Sequence, residues 1–157
     1  MLAVENEGAT CHLDTIAKTD AHVVANFLFS LVKFYVPLGK IKFIFWLDNA
    51  KTHKKKMKNK FQELLGEYNL QNHLNIEVEF VHIPPYSPCL NAAEYFIHLI
   101  RYKFLRHLPI NKEIEEVVDD LIQKVDGKKL LSVQQLCNII RYIKRKPKKK
   151  DISLIPK

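Results

Sequence analysis

Phe43-Ile44-Phe45-Trp46-Leu47 is an unbroken apolar run that stops at Asp48-Asn49. A run of this kind predicts a strand whose two faces are both covered. In open α/β sheets, the functional side chains lie just beyond the carboxyl ends of such strands. Asp48 is therefore the first candidate site residue.

A second stretch, from Ile83 to Glu94, reads Ile-Pro-Pro-Tyr-Ser-Pro-Cys-Leu-Asn-Ala-Ala-Glu. The prolines end a strand and stiffen a loop, after which Asn91 fits the N-cap of a helix with Glu94 in its first turn. Two carboxylates from a strand end and a helix turn suggest a divalent-metal site. Simpler roles stay open, since Asp48 also fits a cap or solvated loop acid and Glu94 also fits a capping box with Asn91.

The periodicity around these stretches predicts a mixed α/β domain. Strands are expected at 1–5, 9–16, 41–48 and 76–83, and helices at about 20–36, 51–68, 91–107, 111–125 and from 132 onwards. The first two strands form a hairpin, and either Thr19 or Asp20 caps the first helix. The strand-helix-strand order predicts that the strands at 41–48 and 76–83 pair in parallel.

Composition bounds the class of protein. The 157 residues, 47% of them hydrophobic, suit one domain with at most a tail. No run is expected to reach the length of a membrane span, and Glu5 and Glu7 argue against a signal peptide. Cys11, Cys89 and Cys137 form no closely spaced pair, which indicates neither a disulfide framework nor a zinc site.

Positive charge is concentrated near the C-terminus. Of the formal net charge of +8, residues 141–157 carry +7, from eight Lys or Arg and one Asp. Such a segment suggests a polyanion partner such as nucleic acid, and it fits a solvated tail about equally well.

Around Asp48 and in the stretch from Ile83 to Glu94, the chain resembles mariner-type insertion-sequence transposases. Leu47-Asp48-Asn49-Ala50, followed by His53, is similar to their second-acid motif. Pro84-Pro85-Tyr86-Ser87-Pro88, with Leu90-Asn91 and Glu94, is similar to their third-acid motif. The resemblance runs from about Met1 into the helix after Glu94. It implies an RNase H-like mixed sheet flanked by helices and an Asp-Asp-Glu triad that holds two Mg²⁺ (or Mn²⁺) ions, with Asp48 as second acid and Glu94 as third.

The chain departs from that pattern in three respects. The gap between the two acids is longer than in most relatives by about three helical turns. Ala92-Ala93 stands where the family usually has proline and a branched apolar residue. The family's first acid lies on a strand upstream of the region that matches Met1 to Glu5, so this strand and its Asp are expected to be missing. Asp14 and Asp20 do not match its position. The resemblance therefore implies an upstream transposase fragment as a partner.

The sequence predicts a partial catalytic domain (1–108), a helical extension (109–146) and a basic tail (147–157). DNA contacts are expected from basic residues near the second-acid motif, on the third-acid helix and before the tail. These are Lys51, His53, Lys54, Arg101, Arg141, Lys144 and Arg145. His53 and the neighbouring lysines fit a solvated surface equally well.

The leading functional hypothesis is a transposase that cleaves and joins DNA with metal ions, present as a truncated or inactive fragment. Whether this chain is itself an enzyme is left open, because the first Asp is expected to be missing. The alternative is a non-catalytic, sequence-tolerant nucleic-acid-binding protein; a third is an RNase H-like nuclease whose acids lie elsewhere. DNA and a second copy of the chain are expected partners, with no membrane, in the cytoplasm and on the nucleoid if the source is prokaryotic.

Overall fold

The computed structural model describes residues 1–5, 10–14, 19–85, 87, 91–106, 113–131 and 135. The strands are β1 (Leu2–Val4), β2 (Thr10–Leu13), β3 (Lys42–Leu47), β4 (Glu77–His82) and β5 (Lys128–Lys129). The helices are α1 (Ala21–Tyr35), α2 (Lys55–Asn72), α3 (Ala92–Ile100) and α4 (Ile114–Val125). Short 3₁₀ turns occupy Val36–Leu38 and Lys51–His53, and a π-helix, Arg101–Leu105, continues α3.

The strands form two sheets. β1 and β5 each pair antiparallel with β2, and β3 pairs in parallel with β4, with Phe45 opposite Phe80. The predicted hairpin and parallel pair are thus confirmed, whereas β5 was not predicted. This mixed α/β architecture is consistent with an RNase H-like fold. No described strand lies between β1 and β3, so each has one edge without a ladder partner in this part of the chain.

Asp20, rather than Thr19, caps α1. Its Oδ1 accepts hydrogen bonds from the backbone N–H of His22 at 2.7 Å and of Val23 at 2.9 Å. The bond from Val23 is the main cause that lowers the pKa of Asp20. At the other end, Gly39 ends the 3₁₀ turn with a φ of 84°, a value that glycine adopts without strain.

The first core lies between one face of the β3–β4 sheet and the helices α1 and α2. Phe61 of α2 is fully buried and meets the rings of Phe29, Phe45 and Phe80 edge to face. The helical periodicity that predicted both helices is confirmed, but Phe34, which the spacing assigned to the buried face of α1, is 53% exposed. The buried residues of the first core are Val24, Ala25, Phe27, Leu28, Leu31, Val32, Leu47, Met57, Phe61 and Ile76.

A second core lies on the opposite side of the hairpin. Ala3 of β1 and the preceding Met1 pack against the first core, while Leu2 and Val4 pack against the second. The buried residues of the second core are Cys11, Phe96, Ile100 and Val125. Strand β1 is therefore covered on both faces.

Strand β3, in contrast, is covered on one face only, so the expectation drawn from its apolar run was wrong for the described residues. Ile44 is 58% exposed and Trp46 is 65% exposed. The reason is that α1 and α2 both pack on the face of Phe43 and Phe45, while α3 packs against β1.

Several predicted boundaries also shift. Helix α2 begins after a 3₁₀ turn and continues four residues past Tyr68 to Asn72, where His73 ends it in the left-handed conformation. The helix expected to reach residue 107 changes to a π-helix at Arg101. The predicted cap at Asn111, the division at residue 108 and the basic tail lie outside the described residues.

One segment, Ala21–Leu38, is long and apolar enough to cross a membrane by length and composition. The expectation that no run reaches such a length was therefore too strong. Because α1 buries Val24, Phe27 and Leu28 in the first core, we interpret this segment as the core helix of the domain.

Candidate active site

Asp48 follows the last residue of β3, and two groups hold its carboxylate. Oδ1 accepts a hydrogen bond from the backbone N–H of Ala50 at 3.0 Å and lies 2.6 Å from His53 Nδ1. The side chain remains 49% exposed. Its position at the carboxyl end of a parallel strand is the one that the sequence predicted.

His53 ends the 3₁₀ turn that follows Asp48, and its side chain is only 20% exposed. The turn is closed by the His53 N–H, which donates to the carbonyl oxygen of Ala50 at 3.0 Å. Because a carboxylate oxygen only accepts, His53 Nδ1 carries the proton and Nε2 is left as an acceptor in the neutral ring. His53 thus orients Asp48, and its contact with a substrate phosphate stays a prediction.

Two further side chains tie the ends of β3 and β4 together. Asn49 Nδ2 donates to the carbonyl oxygen of Ile83 at 2.6 Å, and His82 Nδ1 lies 3.3 Å from the carbonyl oxygen of Asp48. Sequence reasoning missed His82, which belongs to no motif. The only signal was its register, because His82 pairs with Leu47 next to the acid.

Glu94 lies in the first turn of α3. The predicted cap is confirmed, since the Asn91 side chain accepts from the backbone N–H of Ala93 at 3.1 Å. The Glu94 carboxylate is exposed and accepts no hydrogen bond from the described residues. The reciprocal capping-box contact is therefore not formed among the described residues.

The two acids belong to different parts of the fold. Asp48 ends β3, whereas α3 carries Glu94 and packs against β1 of the other sheet. The described residues contain no group of three or more His, Cys, Asp or Glu that could hold a metal ion. Asp48 Oδ2 accepts no hydrogen bond within that part of the chain and is a ligand type that Mg²⁺ prefers. One carboxylate does not complete such a site, so the convergence of Asp48 and Glu94 stays a prediction.

Of the predicted DNA-contacting residues, Lys51, Lys54 and Arg101 are exposed, whereas His53 is half-buried. Lys51 and Lys54 flank His53, and Arg101 begins the π-helix. Arg141, Lys144 and Arg145 lie outside the described residues. Of the acids considered as replacements for the first acid, Asp20 already caps α1, while Asp14 is exposed beside the hairpin.

A protein-family model described as DDE superfamily endonuclease matches residues 1–118, which include both acids and the loop between β4 and α3. No curated protein and no solved structure gave a significant match to the chain.

Proposed function

Because the chain belongs to the DDE superfamily endonuclease family, a family of transposase-like nucleases, we propose that it is a transposase of the mariner-type insertion-sequence class. Its reaction is the metal-dependent cleavage and transfer of DNA strands. The observation that carries this proposal is the Asp48 carboxylate, which His53 and the backbone of Ala50 hold at the carboxyl end of β3.

In this proposal, Asp48 and Glu94 are two of the three acids that bind Mg²⁺ or Mn²⁺. When bound, two such ions stabilise the attacking and leaving oxygens of a phosphodiester together. The part of His53 is to fix one oxygen of Asp48 so that Oδ2 keeps a constant direction, as partners of metal-binding side chains commonly do.

The remaining acid comes, in this proposal, from a strand that enters between β1 and β3. Both strands have an edge without a ladder partner among the described residues, and Ala3 and Phe45 pack against the same core. A strand there would satisfy both edges and join the two sheets. We propose that an upstream transposase segment, in the same or a separate polypeptide, supplies it.

Cleavage of supercoiled plasmid in Mg²⁺ tests the proposal. Residues 1–157 alone are expected to leave the plasmid intact, and addition of the upstream fragment is expected to restore nicking. Asp48→Asn and Glu94→Gln should each abolish the restored activity, while Asp14→Asn, a matched change of an exposed acid, should preserve it. Restored nicking that survives either site substitution would refute the assignment. Nicking by residues 1–157 alone that Asp48→Asn abolishes would place the first acid within this chain.

A second candidate function is non-catalytic, sequence-tolerant DNA binding, which rests on the exposed lysines Lys54, Lys55 and Lys56 at the start of α2. Other lysines of this helix have partners, since Lys60 pairs with Glu63 at 2.9 Å and Lys58 lies over the ring of Phe80. Phosphate contacts would make the affinity fall steeply with salt.

We propose the cytoplasm as the setting, and a homodimer stays a prediction.

Deleting all residues after Tyr142 tests the contribution of the basic segment. We expect a loss of affinity together with a shallower salt dependence. Each lost phosphate contact reduces the number of counterions that are released on binding. An unchanged slope would assign DNA binding to α2 and the π-helix rather than to the tail.

A further inference from the structure

The helix that carries Glu94 does not end as an α-helix, and its continuation has an exposed face of basic and aromatic residues. Residues Arg101–Leu105 form a π-helix, a rare conformation that frequently occurs at functional sites. Phe104 and Leu105 are half-buried and line a narrow cleft against Val117 of α4. The outward side of this segment is exposed, and no described residue outside the segment is seen to cover it.

Tyr102 is the centre of that outward face. Its side chain is 58% exposed, and the guanidinium carbon of Arg106 lies 5.3 Å from its ring centroid. This cation–π contact occupies one face of the ring and fixes its orientation. The other ring face has no aromatic partner among the described residues.

Three exposed cations lie in the same segment as this ring, and one of them, Arg106, contacts it. Arg101, Lys103 and Arg106 are exposed, and none forms an ion pair with an acid in the described part of the chain. A helical segment that carries exposed cations and an exposed aromatic ring suits a polyanion that also has flat apolar surfaces. Nucleic acid has both, in its phosphates and its bases.

The aromatic ring indicates an unpaired strand rather than a duplex. Inside a duplex, neighbouring bases cover both faces of each base, so an exposed ring has nothing to stack on without unstacking the helix. An unpaired base has a free face, and stacking on an aromatic side chain is the usual contact in single-strand binding.

The segment also has a defined relation to the proposed chemistry. Arg101 follows Glu94 by seven residues, and at ~1.5 Å of rise per residue this places it about 10 Å further along the helix. Glu94, His98 and Arg101 share one stripe of α3. Such a distance corresponds to about three nucleotides of axial rise at ~3.4 Å each.

We propose that Tyr102, flanked by Arg101 and Arg106, binds unpaired DNA a few nucleotides from the position of Glu94, with a base stacked on the free face of Tyr102 and the guanidinium groups on the adjacent phosphates. This inference rests on the proposed function for its substrate, DNA, and adds the form of the strand and the residues that hold it. It does not depend on a bound metal ion.

The test compares the affinities of the full chain for a fluorescently labelled single-stranded oligonucleotide and for the duplex of the same sequence, measured by anisotropy at one salt concentration. Tyr102→Leu is expected to weaken single-strand binding by about 5- to 100-fold, the range that stacking of one base on an aromatic ring supplies. Duplex binding should change less than twofold. Tyr102→Phe keeps the ring and should keep single-strand affinity.

Charge provides the second arm of the test. Arg106→Gln should weaken the binding of both the single strand and the duplex. It should also lower the slope of log affinity against log salt concentration by about one unit, as expected for one lost phosphate contact. Lys129→Gln removes the same charge from β5 and should change neither affinity. Circular dichroism melting of each variant verifies that the fold is intact.

The outcomes separate this inference from the proposed function. Equal single-strand affinities of the Leu and Phe variants, or equal losses on single strand and duplex, would overturn stacking at Tyr102 while leaving DNA binding in place. A wild-type chain that binds neither form would overturn both this inference and a DNA substrate. Failure of the Asp48 and Glu94 substitutions in the plasmid assay would overturn only the catalytic assignment.

Discussion

The two faces of the β3–β4 sheet differ sharply although β3 is apolar throughout. On the inner face, Phe45 and Phe80 stack on one another and pack against Phe61 of α2. On the outer face, Ile44 and Trp46 are more than half exposed. Successive side chains of a strand point to opposite faces, so the same five-residue run supplies both surfaces. The difference teaches that apolar content alone does not tell which face is covered.

Replacing one aromatic residue from each face gives the largest expected contrast. Phe61→Ala should lower the free energy of unfolding by about 3–5 kcal/mol, because it leaves a cavity among three aromatic rings. Trp46→Ala, the matched change on the outer face, should lower it by less than about 1 kcal/mol, as is usual for exposed positions. Urea unfolding followed by circular dichroism measures both.

Similar losses for the two variants would contradict the contrast between the faces. A large loss at Trp46 would mean that another part of the chain, or a second copy, covers the outer face in solution. Sedimentation of the wild-type chain at several concentrations would then distinguish cover by the same chain from cover by a second copy.

Sequence patterns predicted the elements whose contacts are local or periodic. Helical periodicity predicted α2, whose buried face contains Met57 and Phe61, and the strand-helix-strand order predicted the parallel pairing of β3 with β4. The N-cap at Asn91 also follows from local chemistry, because a short side chain meets a backbone N–H two residues away.

Features that depend on distant contacts were not predictable in this way. Strand β5 consists of Lys128 and Lys129, which carry no strand signal, and it forms where Gly127 N–H donates to the carbonyl oxygen of Cys11 at 2.9 Å. The contact of His82 with Asp48 likewise joins residues far apart in the chain. For the candidate site, the motifs predicted Asp48 and Glu94 as candidates, but not the orienting contacts around Asp48.

His12 of β2 is a polar side chain that is buried against α1. Its Nε2 lies 2.6 Å from the Tyr35 hydroxyl oxygen, and its Nδ1 lies 3.8 Å from Asp126 Oδ1. Burial lowers the pKa of His12, and the acids Asp126 and Glu5 oppose that shift without cancelling it. The folded state therefore favours the neutral ring.

Stability should consequently depend on pH through His12. Because its folded pKa lies below the ordinary value of about 6.5, the unfolded state binds more protons below that pH. The contribution of the lowered His12 pKa to the free energy of unfolding is fully present above about pH 6.5. It is lost as the pH falls below that value. His12→Gln should remove this slope and lower the free energy of unfolding at pH 7.5 by about 1 kcal/mol through the lost hydrogen bond to Tyr35.

Thermal unfolding between pH 5 and 8 measures this dependence. His22→Gln, at an exposed position in the first turn of α1, is the matched control and should keep the wild-type slope. A slope that persists unchanged in His12→Gln would show that another group, and not His12, titrates with folding.

The smallest effect is expected from the polar pair on the outer face, Lys42 and Glu77, which lie opposite one another in the parallel ladder. Their charged atoms are 3.0 Å apart, but the side chains are 73% and 59% exposed. Water screens such a pair, so its coupling in a double-mutant cycle should be only about 0.2–1 kcal/mol and should shrink in 1 M salt. Lys42→Glu alone should destabilise slightly more than Lys42→Gln, because it places two acids opposite each other.

Exchanging the two charges decides whether the outer face is as open as its exposure indicates. If only water covers it, Lys42→Glu with Glu77→Lys should restore the wild-type free energy of unfolding to within about 0.5 kcal/mol, since exposed charges interact mainly with each other. If a further segment or partner lies on this face, the reversed pair meets different neighbours and the restoration fails. A failure combined with a large loss in Trp46→Ala would place the covering segment across the strand, from Lys42 to Trp46.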